Sequence, residues 1–115
     1  MRFFRTPSIL PFFYPSLQWR IDTNAKDLYL TFDDGPVPGP TEFVLSTLKS
    51  FDIRATFFCI GDNIRKHPDI FRKVLEADHA TGNHTFNHMN GWQTSVTTYV
   101  DNVKKCQEQL NVKLF

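Results

Sequence analysis

Cysteine is scarce in this sequence of 115 residues. Its two cysteines, Cys59 and Cys106, lie far apart and form no CxxC pair. This spacing argues against a zinc knuckle and against a disulfide-dense secreted scaffold, and it predicts two separate buried thiols. Long apolar runs are lacking too. No stretch approaches the roughly 18 apolar residues of a membrane-spanning helix, so no membrane span is predicted.

The sequence also lacks an excess of charge of either sign. Thirteen Lys and Arg residues against twelve Asp and Glu residues give a formal net charge of +1, and no basic run is longer than the two residues of Lys104-Lys105. Binding to a nucleic acid backbone needs clustered positive charge, so nucleic acid is not a predicted partner. What the sequence does contain, 41% hydrophobic residues with twelve Phe, is typical of one folded globular domain.

The N-terminus has only part of the pattern of a signal peptide. Two arginines precede an apolar stretch from Ile9 to Leu17, but Pro7 before it and Pro11 and Pro15 within it break the helix of a signal peptide, and no small-residue cleavage site follows. Residues 1–27 are predicted to form an irregular aromatic arm that packs on the domain. The sequence leaves the compartment undetermined.

From residue 28 onward, predicted strands alternate with predicted helices. Apolar and β-branched runs predict strands at Leu28–Phe32, Ala55–Ile60 and His79–Asn83, with a short fourth strand at Val112–Phe115. Helical periodicity predicts helices over Thr41–Phe51, Pro68–Ala77 and Ser95–Leu110, and Gly61–Asn63 is predicted as an exit loop. This alternation is typical of parallel strands with right-handed crossovers, in an α/β layer or part of a barrel.

Two adjacent carboxylates follow the first predicted strand. Asp33 and Asp34 precede Gly35, and Asp-Gly is a common turn dipeptide, so a plain turn is the simpler interpretation of these residues alone. No strand pairs back after this turn, however. At the exit of a parallel strand, one carboxylate can bind a cation while the other accepts a proton from water.

Two histidines follow the third predicted strand. On a helical turn, the imidazoles of His84 and His88 would face the same way, although an isolated HxxxH is more often a pair of surface histidines. Parallel strands bring their exits together at one edge. A carboxylate with two imidazoles is a common three-ligand zinc set. The joint pattern therefore predicts a metal site at this edge.

Four other polar residues are predicted to have structural roles. His67 precedes a helix at the surface, and His79 is a packing residue at the start of the third strand. Asp62 and Asn63 close the loop after the second strand, with helix capping as the favoured role.

Three segments carry a specific resemblance. They read TFDDGP at Thr31–Pro36, ATFF with a following glycine at Ala55–Gly61, and GNHTFNH at Gly82–His88. Together they resemble the NodB-homology polysaccharide deacetylase family, also called carbohydrate esterase family four. The resemblance implies an α/β fold in which residues 28–115 form the N-terminal half of a distorted (β/α) barrel, with parallel strands and covering helices.

The resemblance also implies roles for the residues of the two loops. Asp33 would be the catalytic base, and Asp34, His84 and His88 would be ligands of a divalent metal, usually zinc. The implied reaction is removal of acetyl groups from N-acetylated sugars of chitin-like polymers or peptidoglycan. An N-acetylated oligosaccharide or polysaccharide is therefore the expected partner.

The sequence departs from the family pattern in two respects. Asp78 stands where the family usually has glycine, which implies a strained or altered helix exit. The 115 residues contain no Arg-Pro-Pro-Tyr motif and no later catalytic histidine, which in the family supply an oxyanion donor and the general acid. Weak or absent turnover is the resulting expectation, and a metal-binding or carbohydrate-binding fragment without turnover is the alternative. A phosphoesterase is disfavoured because no further acidic or Asn cluster follows.

The number of strands leads to one more expectation. A sheet of three or four strands cannot close into a barrel, so its outer strands keep unpaired N–H and C=O groups. Self-association through these open edges is predicted.

Overall fold

The computed structural model describes residues 9–19 and 24–111. The strands are β1 (Thr31–Asp33), β2 (Thr56–Cys59) and β3 (Ala80–Asn83). The helices are α1 (Leu10–Phe13), α2 (Pro40–Ser50), α3 (Gly61–Lys66), α4 (Pro68–Glu76) and α5 (Val96–Leu110), with a short 3-10 helix at Gly91–Gln93.

The three strands form one parallel sheet in the order β1-β2-β3. Phe32 is paired with Phe57, and Phe57 with Thr81, so the strand exits are level and the loops that follow them meet at one edge. The predicted α/β class with parallel strands and covering helices is confirmed.

Helix starts are set by local chemistry. Pro40 and Pro68 occupy the first turn of α2 and α4, where a missing N–H costs no hydrogen bond. The side chain of Ser95 accepts a hydrogen bond from the Thr98 N–H at 3.2 Å and caps the start of α5. These three residues account for helix boundaries that lie within a residue of the predicted ones.

Helices cover one face of the sheet. Phe57 and Cys59 point to this face from β2 and are buried with Phe71 and Val74 of α4, both of which are fully buried. The rings of Phe32 and Phe57 stack with their centroids 5.2 Å apart. This packing fixes β1 and β2 relative to the helices and so fixes the loops at their ends.

The opposite face carries Asp33, Thr56 and Phe58, because side chains alternate along a strand. Gly82 of β3 lies beneath Phe58, where an added Cβ would come within 2.5 Å of the Phe58 ring. Glycine is therefore required at this position by close approach of the ring. Asp33 ends β1 on this face and is exposed.

Several predicted boundaries need correction. β1 begins at Thr31 and not at Leu28, because its pairing with β2 begins at Thr56, whose N–H donates to the Leu30 carbonyl at 3.0 Å. Leu28 and Tyr29 are accordingly exposed. The predicted loop Gly61–Asn63 is the start of helix α3.

Of the predicted N-terminal arm, the structure describes residues 9–19 and 24–27. Leu10–Phe13 forms one helical turn that accommodates Pro11 at its start, and Phe12 and Phe13 are largely exposed. The predicted strand at Val112–Phe115 lies outside the described residues. The proposed division at residue 27 stays a prediction.

The two cysteines are free and buried, as predicted. They are neighbours in space, since the Cys106 thiol of α5 donates to the Cys59 carbonyl at 3.4 Å. Burial, with a smaller contribution from Cys106, raises the pKa of Cys59 to about 12. This thiol therefore stays protonated near neutral pH and serves as a packing group. Within residues 9–19 and 24–111, no helix has the length and apolar character needed to cross a membrane.

Candidate metal centre

The loop after β1 presents the first carboxylates. Asp34 has a φ of 69°, in the left-handed region, which turns the chain sharply out of the strand. The side-chain amide of Asn63 donates to the Asp34 carbonyl at 2.8 Å, and the Ile60 N–H donates to the Gly35 carbonyl at 2.8 Å. The exit of β2 thus holds the Asp34 loop in place.

The loop after β3 presents the histidines. It is a turn and not the helical turn that the spacing suggested, because Thr85 and His88 have φ values of 63° and 56°. The carbonyl of Thr85 accepts from the Gly61 N–H at 3.0 Å, and that of Phe86 accepts from the Asp62 N–H at 2.8 Å. The His loop therefore satisfies the free N–H groups at the start of α3.

Helix α5 fastens the His loop from the other side. The Asn102 side-chain oxygen accepts hydrogen bonds from the N–H groups of Phe86 at 2.7 Å and Asn87 at 3.4 Å. Its amide donates to the Asn87 side chain at 2.8 Å. The Asn83 amide donates to the Val103 carbonyl at 2.8 Å. These bonds leave the backbone around His84 little freedom.

The two loops converge on one point. Oδ1 of Asp34 lies 3.1 Å from Nε2 of His84 and 3.2 Å from Nε2 of His88. One ligand atom from each of the three residues lies within 4.8 Å of the others. The Asp34 and His88 side chains are 66% and 62% exposed and that of His84 is 30% exposed, so an ion or a substrate can reach the group from solvent.

This geometry suits a tetrahedral divalent ion. Ligands at about 2.0–2.2 Å from zinc lie roughly 3.3–3.5 Å from one another, close to both observed separations from Asp34. The set of one carboxylate oxygen and two imidazole nitrogens leaves a fourth position for water or substrate. The residues present therefore fit the metal site that was predicted for Asp34, His84 and His88, although their role as ligands stays a proposal.

The structure separates the two adjacent carboxylates. Asp34 belongs to the converging group, whereas Asp33 precedes the turn, on the open face of the sheet. Both line a cleft of about 310 Å³ that also borders Val37 and Val44. His84 and His88 line a neighbouring cleft of about 220 Å³ with Tyr99. The residues of the converging group thus line two clefts.

Backbone strain is concentrated in the same two loops. Among the described residues, five non-glycine positions have a positive φ, and Asp34, Thr85 and His88 are three of them. Such conformations cost of order 1–3 kcal/mol each and persist where the surroundings enforce them, often at functional sites. Asp78 is another, and its φ of 57° lies in the left-handed region that favours glycine, so a non-glycine residue here strains the exit of α4.

The four polar residues with predicted structural roles lie apart from the converging group. His79 is buried against Phe57 and accepts a hydrogen bond from the Ala55 N–H at 3.4 Å, as expected of a packing residue. His67 lies between α3 and α4, half-buried. Asp62 pairs with Arg65 and Lys66 in its own helix. Asn63, predicted to cap a helix, contacts the Asp34 carbonyl across the sheet edge, a contact that its local sequence does not indicate.

A further cleft lies away from this edge. It has a volume of about 580 Å³ and lies between α2 and α4, beside the ion pair of Lys73 and Glu42. That pair raises the pKa of Lys73 and lowers the pKa of Glu42, so both groups stay charged near neutral pH. The cleft borders no group of converging ligand atoms among the described residues, so the strand exits remain the candidate site.

Known proteins resemble this chain in sequence. The chain is 38% identical over 88 residues to a peptidoglycan-N-acetylglucosamine deacetylase of Bacillus cereus, covering 76% of this chain and 32% of that protein. It is 38% identical over 94 residues to a chitooligosaccharide deacetylase of Azorhizobium caulinodans, covering 79% of this chain and 45% of that protein. The chain thus spans less than half the length of these relatives.

A solved structure shows the same likeness in three dimensions. The peptidoglycan deacetylase PdaC from Bacillus subtilis superposes with a TM-score of 0.72 at 32% identity, over 78% of this chain and 45% of the PdaC chain. This match bears out the fold class that the resemblance implied. The model of the polysaccharide deacetylase family matches residues 20–114. This chain therefore belongs to the polysaccharide deacetylase family.

Proposed function

We propose that this protein contributes the metal-and-base portion of a metal-dependent hydrolase that removes acetyl groups from N-acetylated sugars. The observation that carries the proposal is the convergence of Asp34, His84 and His88 on one point at the strand exits. Relatives named for deacetylation of peptidoglycan and of chitooligosaccharides support the reaction and the substrate class.

Asp34, His84 and His88 are the proposed ligands of the ion. Mixed nitrogen and oxygen ligands favour zinc among the common divalent metals. When bound there, the ion supplies Lewis-acid activation of the acetamide carbonyl and of the attacking water. The exposure of the three side chains leaves room for a saccharide to approach.

Asp33 is the proposed catalytic base. It is adjacent in sequence to a ligand yet outside the converging group, and it lines the same cleft as Asp34. A carboxylate that lies beside the metal ligands can accept the proton of the attacking water without itself binding the metal. This division of labour is the role proposed for the Asp33-Asp34 pair.

We expect the 115 residues alone to turn over slowly. The sequence contains no Arg-Pro-Pro-Tyr segment to supply an oxyanion donor. Loss of one such donor typically costs ~10²- to 10³-fold in rate. The second candidate function, binding of metal or carbohydrate without turnover, is favoured by the same observation.

The first prediction concerns the metal ligands. Zinc titrated into the metal-free protein should bind at one site per chain. Substitution His88→Ala should weaken it by several orders of magnitude, because a three-residue site loses a direct ligand. His67→Ala, at a histidine outside the converging group, is the matched control and should bind zinc like the wild type. Equal zinc affinity in the His88 and His67 variants, measured by calorimetry, would refute the ligand assignment.

The second prediction concerns Asp33. The variant Asp33→Asn should bind zinc like the wild type but lose at least ~10²-fold in acetate release from a chitin oligomer, because the amide cannot accept the proton. Both quantities should be measured side by side for the wild type and the variant. Normal deacetylation by the Asn variant would show that another group is the base.

A further inference from the structure

Trp92 is almost fully exposed close to the candidate metal centre. Its side chain is 99% accessible, in the 3-10 helix Gly91–Gln93 that follows the His loop. Other aromatic side chains, such as Phe51, are also exposed, so exposure alone assigns no role. The support beneath Trp92 and its surroundings set it apart.

The backbone that carries Trp92 is held firmly. The Asn90 side chain accepts from the Trp92 N–H at 3.0 Å, and the Asn90 carbonyl accepts from the Gln93 N–H at 3.1 Å and the Thr94 hydroxyl at 2.8 Å. Gly91 lies against the ring of Tyr99, where an added Cβ would come within 3.2 Å. The indole is therefore presented to solvent from a fixed support.

That support connects directly to the candidate site. Tyr99 lines the same cleft of about 220 Å³ as His84 and His88. Trp92 follows His88 by four residues, so their Cα atoms lie within about 14 Å even if the chain is fully extended. An oligosaccharide bound at the strand exits can therefore reach the indole with a neighbouring ring.

The surrounding sequence indicates an uncharged, hydroxyl-rich ligand. Residues 80–100 contain no Lys, Arg, Asp or Glu, although these types make up 22% of the chain. Asn90, Gln93 and Thr94 instead flank Trp92 in sequence with neutral hydrogen-bonding groups. A sugar ring offers hydroxyls to such groups and an apolar C–H face to an indole.

We infer that Trp92 is a stacking platform for a sugar ring next to the one whose acetamide lies at Asp34, His84 and His88. The inference rests on the proposed function and adds to it a position that binds the polymer beyond the reacting unit. It makes Trp92 a determinant of binding to oligomers and not a catalytic residue.

Fluorescence and calorimetry with the tetramer of N-acetylglucosamine test the inference. The chain has two tryptophans, so Trp19→Phe leaves Trp92 as the sole indole, whose emission should change on titration with the tetramer. Trp92→Ala should weaken tetramer binding by about tenfold or more, and Trp92→Phe should restore part of it. Phe51→Ala, at a residue that is 70% exposed beyond the end of α2, is the matched control and should bind like the wild type.

The outcomes are distinct from those of the metal test. Equal tetramer affinity in Trp92→Ala and the wild type would overturn the inference, as would a wild type that binds no tetramer. A change in sedimentation of Trp92→Ala without any effect on sugar binding would assign the indole to a protein contact and overturn it too. Trp92-dependent sugar binding in a protein that binds no zinc would support the inference while contradicting the hydrolase proposal.

Discussion

Single side chains at the sheet edge act mainly by holding other groups. Asn63 donates its amide hydrogen to the Asp34 carbonyl, and this bond supports a left-handed backbone that glycine would adopt more easily. His79, at the other end of β3, is buried and accepts a backbone hydrogen bond. Of these two side chains only the imidazole titrates, which allows a test by pH.

The third prediction concerns His79 and stability. Burial lowers the pKa of His79, nearby Arg54 lowers it further, and Asp78 opposes both. In the unfolded chain the imidazole titrates near its ordinary value of about 6.5. As the pH falls below this value, the unfolded state takes up a proton that the folded state does not, so the free energy of unfolding should fall.

Urea unfolding of the metal-free protein at about pH 7.5 and about pH 5, on either side of the ordinary histidine pKa, checks this. The variant His79→Gln should show a smaller loss of stability over that range than the wild type, whatever its stability at neutral pH. The Lys and Arg partners of Glu42 and Asp62 lower the pKa values of these carboxylates, so they change the free energy of unfolding only at lower pH. Identical pH slopes for wild type and variant would contradict the prediction.

Among the elements, α3 and α5 decide the shape of the site although neither carries a proposed ligand. The start of α3 bonds to the carbonyls of Thr85 and Phe86, and α5 reaches the same loop through Asn102. A loop with two left-handed residues needs such bonds to persist. The position of the His pair is thus a property of the packing between helices and loop.

The fourth prediction follows from this support. Asn102→Ala removes two accepted hydrogen bonds and one donated one from the His loop. Zinc affinity should fall by about 10- to 100-fold, as for other residues that orient ligands. Asn111→Ala, at the far end of α5, is the matched control and should leave zinc affinity unchanged. A normal zinc affinity of the Asn102 variant in calorimetry would show that the loop holds its shape unaided.

Prediction from sequence succeeds where a local pattern sets the bounds of an element, and fails where contacts with residues distant in the sequence set them. The periodicity of α4 and the prolines at helix starts fix their elements to within a residue or so. The predicted start of β1 is too early because only pairing with Thr56 determines where the strand begins. Helix α3 escapes prediction because Gly61–Asn63 resembles a loop until the carbonyls of the His loop cap it.

The site is predictable for the same reason. Adjacent carboxylates and spaced histidines at strand exits are visible in sequence, and the parallel sheet brings Asp34, His84 and His88 together. The contacts of Asn63 and Asn102 are not visible, since each joins segments far apart in the chain. An asparagine gives no local signal of such a distant partner.

At the scale of the whole molecule, the sheet is open. Among the described residues, β1 and β3 each pair only with β2, so both outer edges keep free backbone groups. The core cluster lies on the face of the sheet that carries Phe57 and Cys59. Phe58, on the opposite face, is not part of it. Open edges of this kind readily pair with a strand of another chain.

The last prediction is therefore that the 115-residue chain self-associates through an edge strand. Light scattering should show a mass that rises with concentration. Thr31→Lys places a charge on the exposed β1 edge and should shift the equilibrium toward monomer, because edge lysines oppose strand pairing. Thr47→Lys, on the exposed surface of α2, adds the same charge away from the edges and should not. A monodisperse wild-type monomer with strongly protected amides in Thr31–Asp33 and Thr56–Cys59 by hydrogen exchange would show instead that three strands with their helices are self-sufficient.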